Sequence, residues 1–189
     1  MYLEKLAIKN FRSFDECEVL LSRDLTIFVG ENNGGKSNAI DAIRLVTTPL
    51  SGRREIYCES TDVRFGSNSR RFDIEARFVE LSVPQQGRFI SAVADQSLET
   101  AMFGLSYEES KVGLSVRPTL WAGHLKAVPE PGCHDMVRHV YLPPLRDAKR
   151  ALASGNPTRI YALLNHFLGD EPRCVGKAAW ARRKGADLG

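Results

Sequence analysis

An α/β fold built around a phosphate-binding loop is predicted by three adjoining features of the sequence. Leu25-Thr26-Ile27-Phe28-Val29 is a short apolar run rich in β-formers, the pattern of a strand buried on both faces. Gly30-Glu31-Asn32-Asn33-Gly34-Gly35-Lys36-Ser37 follows directly and fits G-x-x-x-x-G-K-[ST], the Walker A pattern. Ala39, Ile40, Ala42, Ile43 and Val46 then recur at helical spacing until Pro49, which ends the run. Strand, glycine loop and helix, in that order, are the context a phosphate cradle needs.

The remaining elements follow from local patterning. Tyr2 to Ile8 alternate apolar and polar, which predicts a half-buried strand. Asn10 to Phe14 read as a turn, and Cys17 to Leu21 as a second strand. Phe72 to Leu81 alternate cleanly and predict a strand with one wet face. Arg88–Val93 and Lys111–Leu120 are expected to be further strands, giving a β-rich middle. Pro129-Glu130-Pro131-Gly132 is a turn. His139-Val140-Tyr141-Leu142 reads as a strand that stops at Pro143-Pro144. Residues 145–152 and 158–168 read as helices, broken by Gly155-Asn156-Pro157.

Composition excludes several classes. The chain has 189 residues, 43% hydrophobic and 26% charged, which is ordinary for a globular protein and unlike a disordered or collagen-like one. No stretch approaches 18 uncharged apolar residues, so no membrane span is expected. No basic segment followed by an apolar one opens the chain, so no signal peptide is expected. Cys17, Cys58, Cys133 and Cys174 lack a CxxC pairing, and reduced thiols in a cytoplasm are the expectation.

The chemistry rests on the glycine loop. Glycines let the backbone wrap closely around phosphate oxygens. Backbone N–H groups of the loop and first helical turn point into the cradle, where the helix dipole favours an anion. The candidate nucleotide-binding residues are Gly30, Asn32, Asn33, Gly34, Gly35, Lys36, Ser37 and Asn38. Lys36 reaches the β- and γ-phosphates of ATP, and the Ser37 hydroxyl takes a position on Mg²⁺. Arg12, in the turn after the first strand, is a further candidate for the phosphates; a solvated surface arginine is the alternative. Arg146 and Asp147, at a strand-to-helix junction, suit either a ligand at a strand's carboxyl end or a stable helix start.

No Walker B strand, an apolar run ending in an acid, is recognisable. Leu50-Ser51-Gly52 sits too early in the chain to be an ABC signature. A complete small P-loop enzyme would also need a lid or base-recognition motif, and there is no Asn-Lys-x-Asp for guanine. A non-hydrolysing nucleotide- or DNA-binding module is the other alternative.

Leu3-x-x-Leu6-x-Ile8-x-Asn10-Phe11-Arg12-Ser13-Phe14, the glycine loop with Asn38, and Asp41-Ala42-Ile43 together resemble the N-terminal lobe of ABC-type ATPases of the RecF/SMC group. Tyr141-Leu142-Pro143-Pro144-Leu145-Arg146-Asp147-Ala148 is most similar to the OLD family (overcoming lysogenization defect), ATP-dependent nucleases with an ABC ATPase followed by a TOPRIM domain. The resemblance covers roughly residues 1–168. It implies a P-loop NTPase fold, an ABC-type N-terminal lobe with a β-rich subdomain that is incomplete on its own. It implies ATP and Mg²⁺ as ligands, DNA as the intact protein's substrate, and work in DNA repair or phage defence. It places Arg12 near the nucleotide phosphates and a Q-loop glutamine in the middle region, where Gln85, Gln86 and Gln96 lie. Arginines of that region face DNA in some members, which makes Arg53, Arg54, Arg70 and Arg71 candidate phosphate contacts beside their plainer reading as a solvated loop edge. Such ATPases work as pairs of heads, so a homodimer or a separate C-terminal lobe is the expected partner. With Walker B, signature and TOPRIM motifs unrecognisable, poor hydrolysis by this chain alone is expected.

Patterning stops after Pro172. Residues 1–172 are expected to form the ATPase lobe, and 173–189 a basic irregular tail arising from a frameshift or truncation. From Arg173 onward there are five basic residues and one acid; of the 26 basic and 23 acidic in the whole chain, 21 and 22 therefore remain in the body. The net charge of +3 belongs to the tail.

Overall fold

The computed structural model describes residues 1–49, 55–109 and 118–142. Met1–His139 form one compact unit and Val140–Gly189 a second, of which only 140–142 are described. The expected helices at 145–152 and 158–168, the 172/173 boundary, Arg53, Arg54, Arg146, Asp147 and Cys174 lie outside the described residues.

An antiparallel sheet is the platform of the first unit. Its strands are β1 (Tyr2–Phe11), β2 (Phe14–Leu20), β3 (Arg71–Val79), β4 (Ala101–Glu108) and β5 (Thr119–Ala122). They lie in the order β2-β1-β3-β4-β5. Alternation sets which face each residue takes. Ile8 pairs with Ile74 and Ile74 with Leu105, while Leu6 pairs with Ala76 and Ala76 with Phe103. These residues form one apolar face, fully or almost fully buried. Helix α1 (Lys36–Val46) covers it with Ala42, Leu45 and Val46. Phe72 anchors the face, with the Phe11 ring 5.0 Å away edge-on and Tyr107 stacked at 5.2 Å.

Three strand expectations are corrected. Leu25–Val29 is not a strand among the described residues: Leu25, Ile27 and Val29 are 70%, 71% and 88% exposed. The five-stranded sheet does not include this segment, so no ladder partner covers its apolar residues. Arg88–Val93 is not a strand either. A short helix α2 (Val83–Arg88) ends there and turns follow, because Ser82 and Gln85 form a capping box with Pro84 in the first turn. His139–Leu142 forms no strand among the described residues. Of the stretch expected at 111–120, residues 119 and 120 lie in β5, 118 precedes it, and the rest is outside the described residues. Strand β4 was not anticipated at all.

The opposite face of the sheet is held by a polar network. Trp121 lies flat over Gly104 of β4, its registered neighbour. The indole Nε1–H donates to Ser106 Oγ at 3.0 Å, the Ser106 hydroxyl donates to Asp73, and Arg71 grips Asp73 with bonds of 2.9 and 2.7 Å. Burial alone would raise the Asp73 carboxyl, but Arg71 and Ser106 outweigh it and hold it below its usual range. Lys126 sits over the indole at 4.5 Å. A Cβ at position 104 would lie 2.0 Å from the Trp121 ring. Gly104→Ala is therefore expected to cost about 1–3 kcal/mol by overpacking. Urea unfolding followed by tryptophan fluorescence measures it, and an unchanged midpoint would contradict this packing.

Candidate functional site

The glycine loop emerges from the exposed 25–29 segment and runs into α1. Gly34 N–H donates to the Glu31 carbonyl at 3.1 Å, closing a turn. Asn33 adopts φ 69°, a left-handed conformation that asparagine tolerates. Gly35, at φ 84°, is the N-cap of α1. Asn32, Asn33, Gly35, Lys36, Ser37 and Asn38 line an open cavity of about 650 Å³, within the range of roughly 300–1,000 Å³ for ligand sites. No acidic side chain among the described residues lines it. Of the residues expected at the site, Gly30 and Gly34 shape the loop and do not line the cavity.

Lys36 Nζ donates to the carbonyls of Gly30 and Glu31, at 2.7 and 2.6 Å. The ammonium thus sits across the loop it belongs to. The Ser37 hydroxyl makes no hydrogen bond among the described residues. Cationic and neutral donors around an open cavity at a helix N-terminus form a donor set suited to a polyphosphate.

The β1–β2 turn forms one wall of this region. A Cβ on Gly35 would lie 3.0 Å from the Phe14 ring and 3.1 Å from Ser13 Oγ. Asn38 Nδ2 donates to Ser13 Oγ at 2.8 Å. Arg12 lies beside Asn38 but lines a second cavity of about 530 Å³ with Asp41, Glu55, Tyr57, Glu59 and Asp62. Its Nε donates to Asp62 Oδ1 at 2.7 Å, and Nη1 donates to Asp41 Oδ2 at 2.6 Å and to Asn38 Oδ1 at 3.4 Å. Burial opposes the charge on Arg12, yet the two carboxylates more than offset it and raise the guanidinium's pKa. Arg12 is thus not a free solvated arginine: half-buried, it ties three segments together.

The glutamines do not reach the cavity. Gln85 accepts from Ser82 N–H at 2.9 Å in the α2 cap, Gln86 donates to the Leu81 carbonyl, and Gln96 is exposed. Arg70 pairs with Glu109 and Arg71 with Asp73. Residue spacing alone did not reveal that Asp41 and Asp62 hold Arg12. Asp41 could have been found, since it falls three residues after Asn38 on α1 and shares its side. Asp62 meets Arg12 across 50 residues of sequence, and no local pattern announces that.

Residues 1–124 match the family model of the AAA ATPase domain. The DNA replication and repair protein RecF of Pseudarthrobacter chlorophenolicus is 38% identical over 79 residues, which are 42% of this chain and 19% of that protein. RecF of Synechocystis is 47% identical over 53 residues, 28% of this chain and 14% of that protein. The matched stretch is thus about a fifth or less of each relative's length. A structure solved in work on the "structural biochemistry of ATP-driven dimerization and DNA stimulated activation of SMC ATPases" is 21% identical, covering 88% of this chain and 99% of its own, with a TM-score of 0.55. That likeness is one of fold.

Gly35 meets both demands that only glycine satisfies here, a left-handed φ and contact with Phe14. Gly35→Ala is expected to cost about 1–2 kcal/mol from the backbone alone, with the Phe14 clash added. Chemical denaturation reads the loss. An unchanged midpoint would mean the turn does not pack against the loop.

Proposed function

The chain belongs to the AAA ATPase domain family, and from that premise we propose that residues 30–38 with Arg12 bind ATP, with Ser37 on Mg²⁺. The fold is that of a P-loop ATPase related to RecF and SMC proteins. The observation that carries the site is the cavity at the N-terminus of α1, lined by neutral and cationic groups and fronted by Lys36. In the proposed complex Lys36 exchanges its two loop carbonyls for phosphate oxygens, so the ammonium keeps its partners in number. Mg²⁺, held by the Ser37 hydroxyl, would supply charge neutralisation at the phosphates. Loop N–H groups and the first turn of α1 orient the phosphate chain.

The wider reading is a lobe of an OLD-like, ATP-dependent DNA nuclease, present here in truncated form, with DNA and either a second copy or a separate C-terminal lobe as partners. Two observations support incompleteness. The RecF relatives extend far beyond the matched stretch. Leu25, Ile27 and Val29 also form an uncovered apolar row, of the kind that partner strands cover. No acidic side chain among the described residues lines the loop cavity, and the truncated-lobe reading carries slow hydrolysis by this chain alone as its expectation.

Calorimetric titration of MgATP tests the binding. Lys36→Ala is expected to weaken it about ten-fold or more, the value of a charge-assisted hydrogen bond. Equal affinity for both proteins would favour a non-nucleotide binding module. Robust turnover by the purified chain, abolished by Lys36→Ala, would contradict the truncated-lobe reading. Sequencing the locus tests that reading directly: a downstream frame encoding Walker B and TOPRIM motifs is expected.

A further inference from the structure

The face of the sheet away from α1 carries a cavity that nucleotide binding does not use. Three strands floor it: Lys5 and Ala7 come from β1, Glu75 and Arg77 from β3, and Met102 from β4. Ala94 and His124 complete the lining from outside the sheet. The His124 Nε2–H donates to the Ala94 carbonyl at 2.9 Å, which ties those two segments together. The hollow exists because the residues opposite Glu75 are small. Ala7 is its partner in β1 and Gly104 its partner in β4, and Trp121 fills the space over Gly104. The volume, about 170 Å³, is below the roughly 300–1,000 Å³ of drug-sized ligand sites. The occupant is therefore a small molecule.

The state of each charge in the lining selects its chemistry. Lys5 Nζ is engaged by Glu18 of β2 at 2.5 Å. Arg77 stands directly opposite Lys5 in the β1–β3 register, so the two cations repel. Its nearest acid is Glu4, 3.7 Å from Nε, longer than a hydrogen bond. Glu4 sits where the register of β1 shifts, between Leu3 and Lys5. The Glu75 carboxylate has no hydrogen bond or ion pair among the described residues. Glu75 and Arg77 are two positions apart on one face of β3, a span of about 6.6 Å, yet they do not pair. The cavity thus offers one uncommitted carboxylate and one loosely held guanidinium, beside the apolar surface of Ala7 and Met102. Glu75 disfavours a bare phosphate, and Arg77 with Lys5 disfavours a simple amine. A molecule carrying both an ammonium and a carboxylate satisfies both groups at once.

We propose that this cavity binds a free α-amino acid with a small apolar side chain. Its ammonium meets Glu75, its carboxylate meets the planar fork of Arg77, and its side chain lies against Ala7 and Met102. The site is separate from the glycine loop and does not depend on the nucleotide reading.

The test is calorimetric titration of valine into the full chain, with thermal unfolding in parallel. N-acetylvaline, valinamide, aspartate, lysine and inorganic phosphate are titrated alongside. Valine is expected to bind and to raise the unfolding midpoint. N-acetylvaline, which lacks the ammonium, and valinamide, which lacks the carboxylate, are each expected to bind about ten-fold more weakly. Glu75→Gln is expected to weaken valine about ten-fold and leave N-acetylvaline unchanged. Arg77→Gln is expected to weaken valine similarly and leave valinamide unchanged. If a variant does not fold, the blocked compounds on the wild-type chain decide alone. No binding of valine overturns the proposal. N-acetylvaline or valinamide binding as tightly as valine overturns it too, as does phosphate doing so. Aspartate or lysine binding more tightly than valine overturns the apolar side-chain subsite and the proposal with it. Variants that weaken valine and both blocked compounds equally have a merely structural effect, which also overturns it.

Discussion

One guanidinium joins three stretches that the sequence keeps far apart. Arg12 sits in the β1–β2 turn, Asp41 on α1 and Asp62 in the segment that returns along the end of β1. Remove the charge, and Asp62 is left buried without its cation, a loss of the kind that costs several kcal/mol. The tie fixes the turn relative to α1. The turn in turn sets the wall against which Gly35 lies, with Phe14 and Ser13 at contact distance. The shape of the glycine loop therefore depends on a residue outside it.

The sheet explains why that tie is rigid. Phe11 leaves β1 pointing into the apolar face, where Phe72 meets its ring edge-on and is itself stacked on Tyr107. Arg12 is the next residue; it turns at φ 47°, and its guanidinium lies over the Phe11 ring and reaches Asp41 of α1. Asn10, buried at φ 56°, spends its amide on the carbonyls of Ser69 and Arg71, which closes the neighbouring chain against β1. Two left-handed residues flank one core phenylalanine, so the turn has little room to reorganise without lifting Phe11 from the core.

Legibility in the sequence followed the range of the forces involved. Helix α1 begins at Lys36 and closes by Thr47, as periodicity and Pro49 indicated, because helix signals are local. β1 and β3 were legible because one face is wet and the alternation survives. β4 was not, since Ala101-Met102-Phe103-Gly104-Leu105 is buried on both sides and its glycine resembles a turn signal until Trp121 is known to lie over it. Arg88–Val93 failed for the opposite reason: a local cap and a proline outweighed a mildly β-like composition. In the candidate site, the loop residues that line the cavity stand out in their string, and Asp62 beside Arg12 does not, because its partner is set only by the closed sheet.

The 25–29 segment shows how a local pattern can misstate structure. Its composition is that of a buried strand, and each large aliphatic residue covered there would contribute about 1.5–3 kcal/mol. None of the five strands supplies that cover. Within this stretch the hydrogen bond from Ser22 N–H to Thr26 Oγ1 is the kind of support observed, a local side-chain contact. The segment nevertheless feeds Gly30, whose carbonyl Lys36 holds. One end of the cradle is thus built on the tied and buried α1 wall, and the other on a strand-like segment whose apolar residues remain in water. That row reaches the loop through Val29 and Gly30, the two residues between Phe28 and Glu31, so a strand paired along 25–29 would adjoin the carbonyl that Lys36 holds.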